Sequence, residues 1–315
     1  MRFNPKARLD TSRTSDAGSG SGGGGLGGGI PLPTGKMGAG GVVVLLVLVL
    51  LGQCTGTVDL GSVLGGSTSG ASLNASRFQT DASAGDDRYA SCTTGEDANN
   101  SSDCALVAVE NSLYDFWSEK LGSKFQAEQG VVTFTGGVQT QGCGSASSDM
   151  GPFYCPVDQT IYLDTQFYTD IFEGQLGGED APFVRAYVIA HEYGHHIQNL
   201  LGYMSQVKTQ QGPTSDSVRL ELQADCFAGV WAAAAESTPD EDGNTLIEDI
   251  TDEDITEAIG AATTVGDDYI QQRMGGATNP EGWTHGSSEQ RVKWFKTGMS
   301  AQSLDECDTF SATSL

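Results

Sequence analysis

"VIAHEYGHHIQNLLG", Val188 to Gly202, decides how the chain is read. Three of its four histidines stand within six positions there, with a glutamate among them. On a helix, residues four apart differ by about 40° around the axis, so His191 and His195 project from one face, one turn apart. They can grip one ion. His196, five positions from His191, points away. Glu192 neighbours the first imidazole and can lean toward a water at the ion. This is the HExxH arrangement, in which zinc takes two imidazoles and the glutamate serves as general base. A cluster of core histidines would leave the spacing unexplained on a helix whose other positions include Phe183, Val184, Val188, Ile189 and Ile197.

Two imidazoles are too few, because a catalytic zinc usually has three protein ligands and an open position. The three-histidine extension of the motif demands glycine at 198 and histidine at 201, where this chain has Gln198 and Leu201. The third ligand therefore comes from another segment. "ELQAD", Glu221 to Asp225, is the best source, since its two acids sit one helical turn apart inside the apolar, small-residue run "LELQADCFAGVWAAAA". Burying carboxylates is costly unless cations neutralise them. Zinc on Glu221, and a ligand N–H or an arginine on Asp225, would supply that compensation. A developing oxyanion needs a further donor. His285 in "WTHGSSEQR" is the first choice, ahead of Tyr193 and Tyr187, while Arg291 is expected to neutralise Asp225 or a substrate carboxylate.

Charge divides the chain. The net charge is −25 over 315 residues, yet residues 1–36 carry five Lys/Arg against two Asp. An acidic body repels phosphate backbones, so nucleic acid is excluded as a partner. Residues 1–36, with "GSGSGGGGLGGG", read as a disordered Gly/Ser-rich cytoplasmic tail. Residues 37–58 hold no charged residue and centre on "GVVVLLVLVLLG", reaching the roughly 20 residues needed to cross a bilayer. Arg2, Lys6, Arg8, Arg13 and Lys36 precede it, which keeps the N-terminus cytoplasmic and exports the rest. The expectation is a single-pass transmembrane anchor in the cell membrane, with a cleaved signal peptide as the competing reading. Residues 59–90 are again Gly, Ser, Ala and Asp, a flexible linker. Residues 91–315 form the folded, extracytoplasmic domain.

Six cysteines fall in that domain, an even set that is usually oxidised outside the cytoplasm, although six allow fifteen pairings. Proximity favours Cys92 with Cys104 and Cys143 with Cys155, leaving Cys226 with Cys307.

The domain reads as α+β, mainly helical with a small sheet. One helix starts at Ser102 or Asp103 and stops at Gly122, with Leu106, Val109, Leu113, Phe116 and Trp117 inward. "VVTFT" (131–135) and "TIYLD" (160–164) read as strands of a sheet whose edge a disulfide pins. The opening stretch belongs to a helix capped by Asp180, with Pro182 in its first turn and Gly202 at its end. Asp216 to Glu236 forms the next. Thr251 with Asp254 caps a helix running to about Met274, and Ser287 with Gln290 caps one ending at Gly298.

The stretches "AYVIAHEYGHHIQNLLG", "RLELQADCFAGVWA", "CGSASSDMGPFYCPVDQTIYLD" and "THGSSEQRVKWF" resemble the neutral zinc metallopeptidases of bacteria, within the gluzincins whose second motif is ExxxD. The resemblance covers about Cys92 to Phe310, with the basic tail and apolar segment ahead of it. It implies a zinc peptidase acting on peptides or proteins, with His191, His195 and Glu221 as zinc ligands, Glu192 as base, and Asp225 supporting a ligand. A peptide substrate is expected to add as a strand along an edge within Gly151 to Asp164, where Pro152 and Pro156 suit an edge. The competing readings are a zinc-bound but inactive envelope protein, a zinc hydrolase of a non-peptide bond, and a Ca²⁺-binding scaffold, for which "DEDG" at Asp240 to Gly243 is only a turn.

Overall fold

The structure, a computed structural model, describes residues 1–19, 88–301 and 303–315. The chain opens with two strands, β1 (Arg2–Phe3) and β2 (Thr14–Ser19). This corrects the reading of residues 1–36 as a structureless tail for its first nineteen residues. Phe3 and Ala7 are buried in the core, and β2 pairs with the main sheet. Residues 20–36, the expected anchor at 37–58, and the linker as far as residue 87 lie outside the described residues. Among the described residues, no helix is long and apolar enough to cross a membrane. Among the residues described from Arg88 onward, Tyr89 is already buried.

Next come α1 (Gly95–Asn100) and α2 (Ser102–Leu121). The α2 cap is Ser101 rather than Ser102 or Asp103, its hydroxyl accepting from the Cys104 N–H, and Gly122 ends the helix as expected. Five strands follow: β3 (Gly130–Thr135), β4 (Gly137–Gln139), β5 (Ser145–Ser147), β6 (Phe153–Cys155) and β7 (Thr160–Asp164). The main sheet has the order β2-β3-β7-β6, with β6 antiparallel and the rest parallel, while β4 and β5 form a separate ribbon. All five residues of β7 are buried, as fits an interior strand covered on both faces. Within Gly151 to Asp164 the edge is therefore β6 alone, and Cys143–Cys155 pins it.

A π-helical segment, Phe167–Leu176, leads into α3 (Pro182–Leu201) and then α4 (Asp216–Ala234). Pro182 at the first turn of α3 loses no hydrogen bond, and Gly202 ends it in the left-handed region at φ 80°. Asp180 is not the cap: that position is Ala181, and the Asp180 carboxylate is held by Arg185. β8 (Ile247–Asp249) pairs with β1. The capping box of Thr251 and Asp254 forms, but its helix, α5 (Asp252–Thr264), ends ten residues before Met274. Gly266 supplies the reason, since a Cβ there would lie 2.4 Å from the Ser288 nitrogen. The chain turns at this close approach and resumes as α6 (Asp267–Arg273).

The last helix, α7 (Ser288–Ser300), is capped by Ser287 and Gln290 and runs past Gly298. A Cβ at Gly298 would lie 1.9 Å from the Cys226 carbonyl oxygen, and one at Gly229 would lie 2.2 Å from that of Phe295. The two glycines let α4 and α7 approach backbone to backbone. Trp117, Phe183, Phe227 and Trp231 fill the core around this pair, each contributing about 1.5–3 kcal/mol by burial. Disulfides join Cys92 to Cys104, Cys143 to Cys155 and Cys226 to Cys307, the three expected pairs.

Candidate metal centre

α3 and α4 cross closely at Gly194, where a Cβ would lie 3.1 Å from the Ala224 backbone. This approach sets Glu221, on α4, against the histidines of α3. His191 Nε2 lies 3.2 Å from Glu221 Oε2, and His195 Nε2 lies 3.5 Å from Glu221 Oε1. The three ligand atoms all lie within 4.8 Å of one another, and all three residues are buried or nearly so.

The opposite edge of each ring is also engaged. His191 Nδ1 is 2.9 Å from Asp225 Oδ1, and His195 Nδ1 is 2.8 Å from Gln198 Oε1. Gln198 donates its amide to the Leu220 carbonyl and to Gln223, so its oxygen is the atom left for His195. Each Nδ1 hydrogen is thereby committed, and each Nε2 lone pair faces a carboxylate. A metal cation at that point, or a proton on the rings, relieves the repulsion. Two nitrogens and one carboxylate oxygen are zinc's usual donors, so the residues present fit this ion.

Electrostatics agree. Burial resists protonation of His191, yet Asp225 and then Glu221 outweigh it and raise its pKa to about 9. Burial opposes ionisation of Glu221, but His195 and the hydrogen bonds of both rings hold it well below the carboxylate range. Asp225 is fully buried; burial is again opposed, here by Arg291 and His191, and its pKa falls to about 2. Arg291 reaches it through Nε at 2.8 Å and Nη2 at 2.9 Å, and Tyr187 donates its hydroxyl to it at 2.6 Å. Both fork nitrogens being taken, and Nη1 facing the Val265 carbonyl, Arg291 is not placed for a substrate carboxylate.

A cavity of about 310 Å³ opens beside these groups, lined by His191, Glu192, His195, Glu221 and His285. Glu192 is buried there, and burial raises its pKa. His285 Nδ1 lies 2.9 Å from the Thr284 hydroxyl and 3.5 Å from Asp267 Oδ1. Burial resists its protonation, but Asp267 and Glu221 raise its pKa. The other tyrosines considered are committed elsewhere: Tyr187 to Asp225, while Tyr193 lies beside Glu128 and outside the cavity lining. His196 is not a ligand, since its ring faces the Tyr154 hydroxyl and the Gln126 carbonyl.

Two contributors, Asp267 and Gln198, are absent from the expected site. Asp267 Oδ2 accepts the N–H groups of Thr284, His285 and Gly286 at 2.7–3.0 Å, fixing the loop that carries His285. Nothing in its sequence context marks it. Gln198 could have been found, because it stands one turn after His195 on the ligand face.

Two imidazoles, each held from behind, and a carboxylate from the adjoining helix form a group that could hold a metal ion in an α+β protein. The family model described as "Putative neutral zinc metallopeptidase" matches residues 2–310, and the chain belongs to that family. It is similar to an uncharacterized protein of Mycobacterium bovis and to one of Mycobacterium tuberculosis. Each is 48% identical over 226 residues, covering 71% of this chain and 76% of the relative. It is also similar to the uncharacterized protein YpfJ of Escherichia coli K12, 36% identical over 284 residues and covering 88% of each chain. No solved structure matches it.

Proposed function

We propose that the chain is a zinc-dependent endopeptidase, with a gluzincin-like site in which His191, His195 and Glu221 hold the ion. One observation carries the reading: two Nε2 atoms and the Glu221 carboxylate converge beside Glu192 in one cavity. A zinc ion bound there supplies a Lewis acid that lowers the pKa of a water to about 7. Glu192, its carboxyl raised by burial, accepts the proton from the attacking water and passes it to the departing amine. His285, held by Asp267 and Thr284, donates toward the developing oxyanion. Arg291 and Tyr187 keep Asp225 ionised and aimed at His191 Nδ1.

The cavity walls support a peptide substrate. The edge strand β6 supplies Phe153 and Tyr154 to the lining, and an extended peptide can add to its open side through backbone hydrogen bonds. Phe167, Ile171, Leu176 and Met204 give the cavity an apolar stretch of wall, which favours substrates with a large apolar side chain near the cleaved bond. The test is digestion of an unfolded-protein library by wild type and Glu192→Gln. New termini enriched beside apolar residues, and absent with the variant, are expected. Equal digestion by both proteins would overturn the assignment.

A further inference from the structure

Tyr193, next in sequence to Glu192, faces away from the cavity toward a second buried cluster that the proposed chemistry does not use. Glu110 of α2 and Glu128 are both buried there. The cation that meets them comes from the start of the chain. Arg13 Nε lies 2.7 Å from Glu110 Oε1, its Nη2 lies 3.3 Å from Oε2, and its Nε lies 4.0 Å from Glu128. The guanidinium also stacks over the Tyr114 ring at 4.0 Å. Two buried carboxyl groups are costly to ionise side by side, and Arg13 is the cation that meets them, through a paired contact to Glu110 and a longer one to Glu128.

The rest of the first nineteen residues is gripped in the same way. Asn99 accepts the Phe3 N–H at 2.9 Å and donates to the Phe3 carbonyl at 2.8 Å. Asn111 repeats the pattern on Asp10, at 2.7 and 2.8 Å. Each amide thus pairs with one residue's backbone as a neighbouring strand would. Two glycines make room for the segment: a Cβ at Gly95 would lie 2.0 Å from the Asn4 carbonyl oxygen, and one at Gly130 would lie 2.6 Å from that of Arg13. Phe3 and Ala7 enter the core, and β2 extends the sheet beside β3. Asparagine forks, glycine clearances and a buried acid pair are features of the domain itself, and all of them address residues 1–19.

We propose that the metal-bearing domain contains a dedicated docking groove for residues 1–19 of its own chain, which therefore occupy the same compartment as the domain. The inference is independent of the peptidase reading. It replaces the expected topology, because a chain crossing a bilayer once between Ser19 and Arg88 would hold the two halves of this body on opposite sides. The junctions support it: the Asp16 carboxylate lies 3.6 Å from the Arg88 guanidinium, so the described segments on either side of residues 20–87 meet in one place.

Thiol labelling of the full chain in intact cells tests the topology. In a Cys54→Ser background, whose other six cysteines are paired, one cysteine is added at Ser12 or at Ser314, both exposed, and treated with a membrane-impermeant maleimide before and after permeabilisation. Matching accessibility at the two positions is expected. Labelling of one before and the other only after permeabilisation would overturn the proposal. Docking is tested on the purified full chain with Arg13→Glu, against Arg2→Glu as a control on an exposed arginine. Arg13→Glu should lower the thermal midpoint by several degrees and open residues 1–19 to trypsin, with zinc content unchanged. Should that variant fail to fold, Arg13→Gln keeps much of the stem over Tyr114, drops the charge, and reads the same midpoint. A midpoint and digestion pattern equal to the control would contradict the groove.

Discussion

His191 and Asp225 face one another across α3 and α4, ring nitrogen to carboxylate at 2.9 Å, with Arg291 closing the far side of the acid. Asp225 thereby sets which ring nitrogen His191 presents to the ion. Asp225→Asn should weaken zinc binding about 10- to 100-fold in a chelator competition. It should also lower the thermal midpoint, because Arg291 loses its counter-charge in a buried setting. Unchanged affinity would separate Asp225 from the metal.

Glu192 is not among the three converging ligands. Glu192→Gln should keep its zinc and lose about 10²- to 10⁴-fold in kcat on a peptide substrate. Loss of the metal in this variant would instead make Glu192 a ligand.

Asp267 acts on the site through the loop of residues 284–286. His285→Ala should reduce kcat by about 10²- to 10³-fold with KM and zinc content nearly unchanged. Asp267→Asn should move kcat in the same direction and destabilise the fold as well, since one oxygen serves three N–H groups. A shift confined to KM in both variants would place His285 in binding rather than in charge stabilisation.

The buried acid pair makes stability depend on pH. Burial and then Glu128 push the Glu110 pKa up to about 8, against the opposing pull of Arg13. In the unfolded chain the group titrates near 4.3, at about the ordinary glutamate value. Between these limits the folded state holds a proton that the unfolded state has released, so stability falls as pH rises through the window. Glu110→Gln removes that titration while Arg13, Glu128 and Tyr193 still face the position. Thermal midpoints between about pH 5 and 8 should decline more steeply in wild type than in the variant. Parallel curves would show that Glu110 binds no more protons in the folded chain than in the unfolded one.

What could be read beforehand follows from how local the causes are. α3 was legible because its apolar face, its histidine spacing and its terminal Pro182 and Gly202 lie in one run. Glu221 was legible because an acid pair in an alanine-rich helix needs a cation. The close cysteine pairs needed only proximity in sequence, and Cys226–Cys307 followed by remainder. Residues 1–19 were not legible: they carry no periodicity of their own, and their order comes from Asn99, Asn111 and Glu110, some ninety or more residues away. The helix break after Thr264 likewise depends on Gly266 meeting Ser288, a tertiary contact without a local signal.

Metal stoichiometry tests the central claim most directly. Purified protein, reconstituted with zinc and freed of excess, is assayed by elemental analysis beside His195→Ala and Glu221→Gln. One zinc per wild-type chain, with little in either folded variant, is the expected result. A wild-type protein that holds no zinc, or a Glu221→Gln protein that binds it as tightly as wild type, would contradict a centre made by α3 and α4 together.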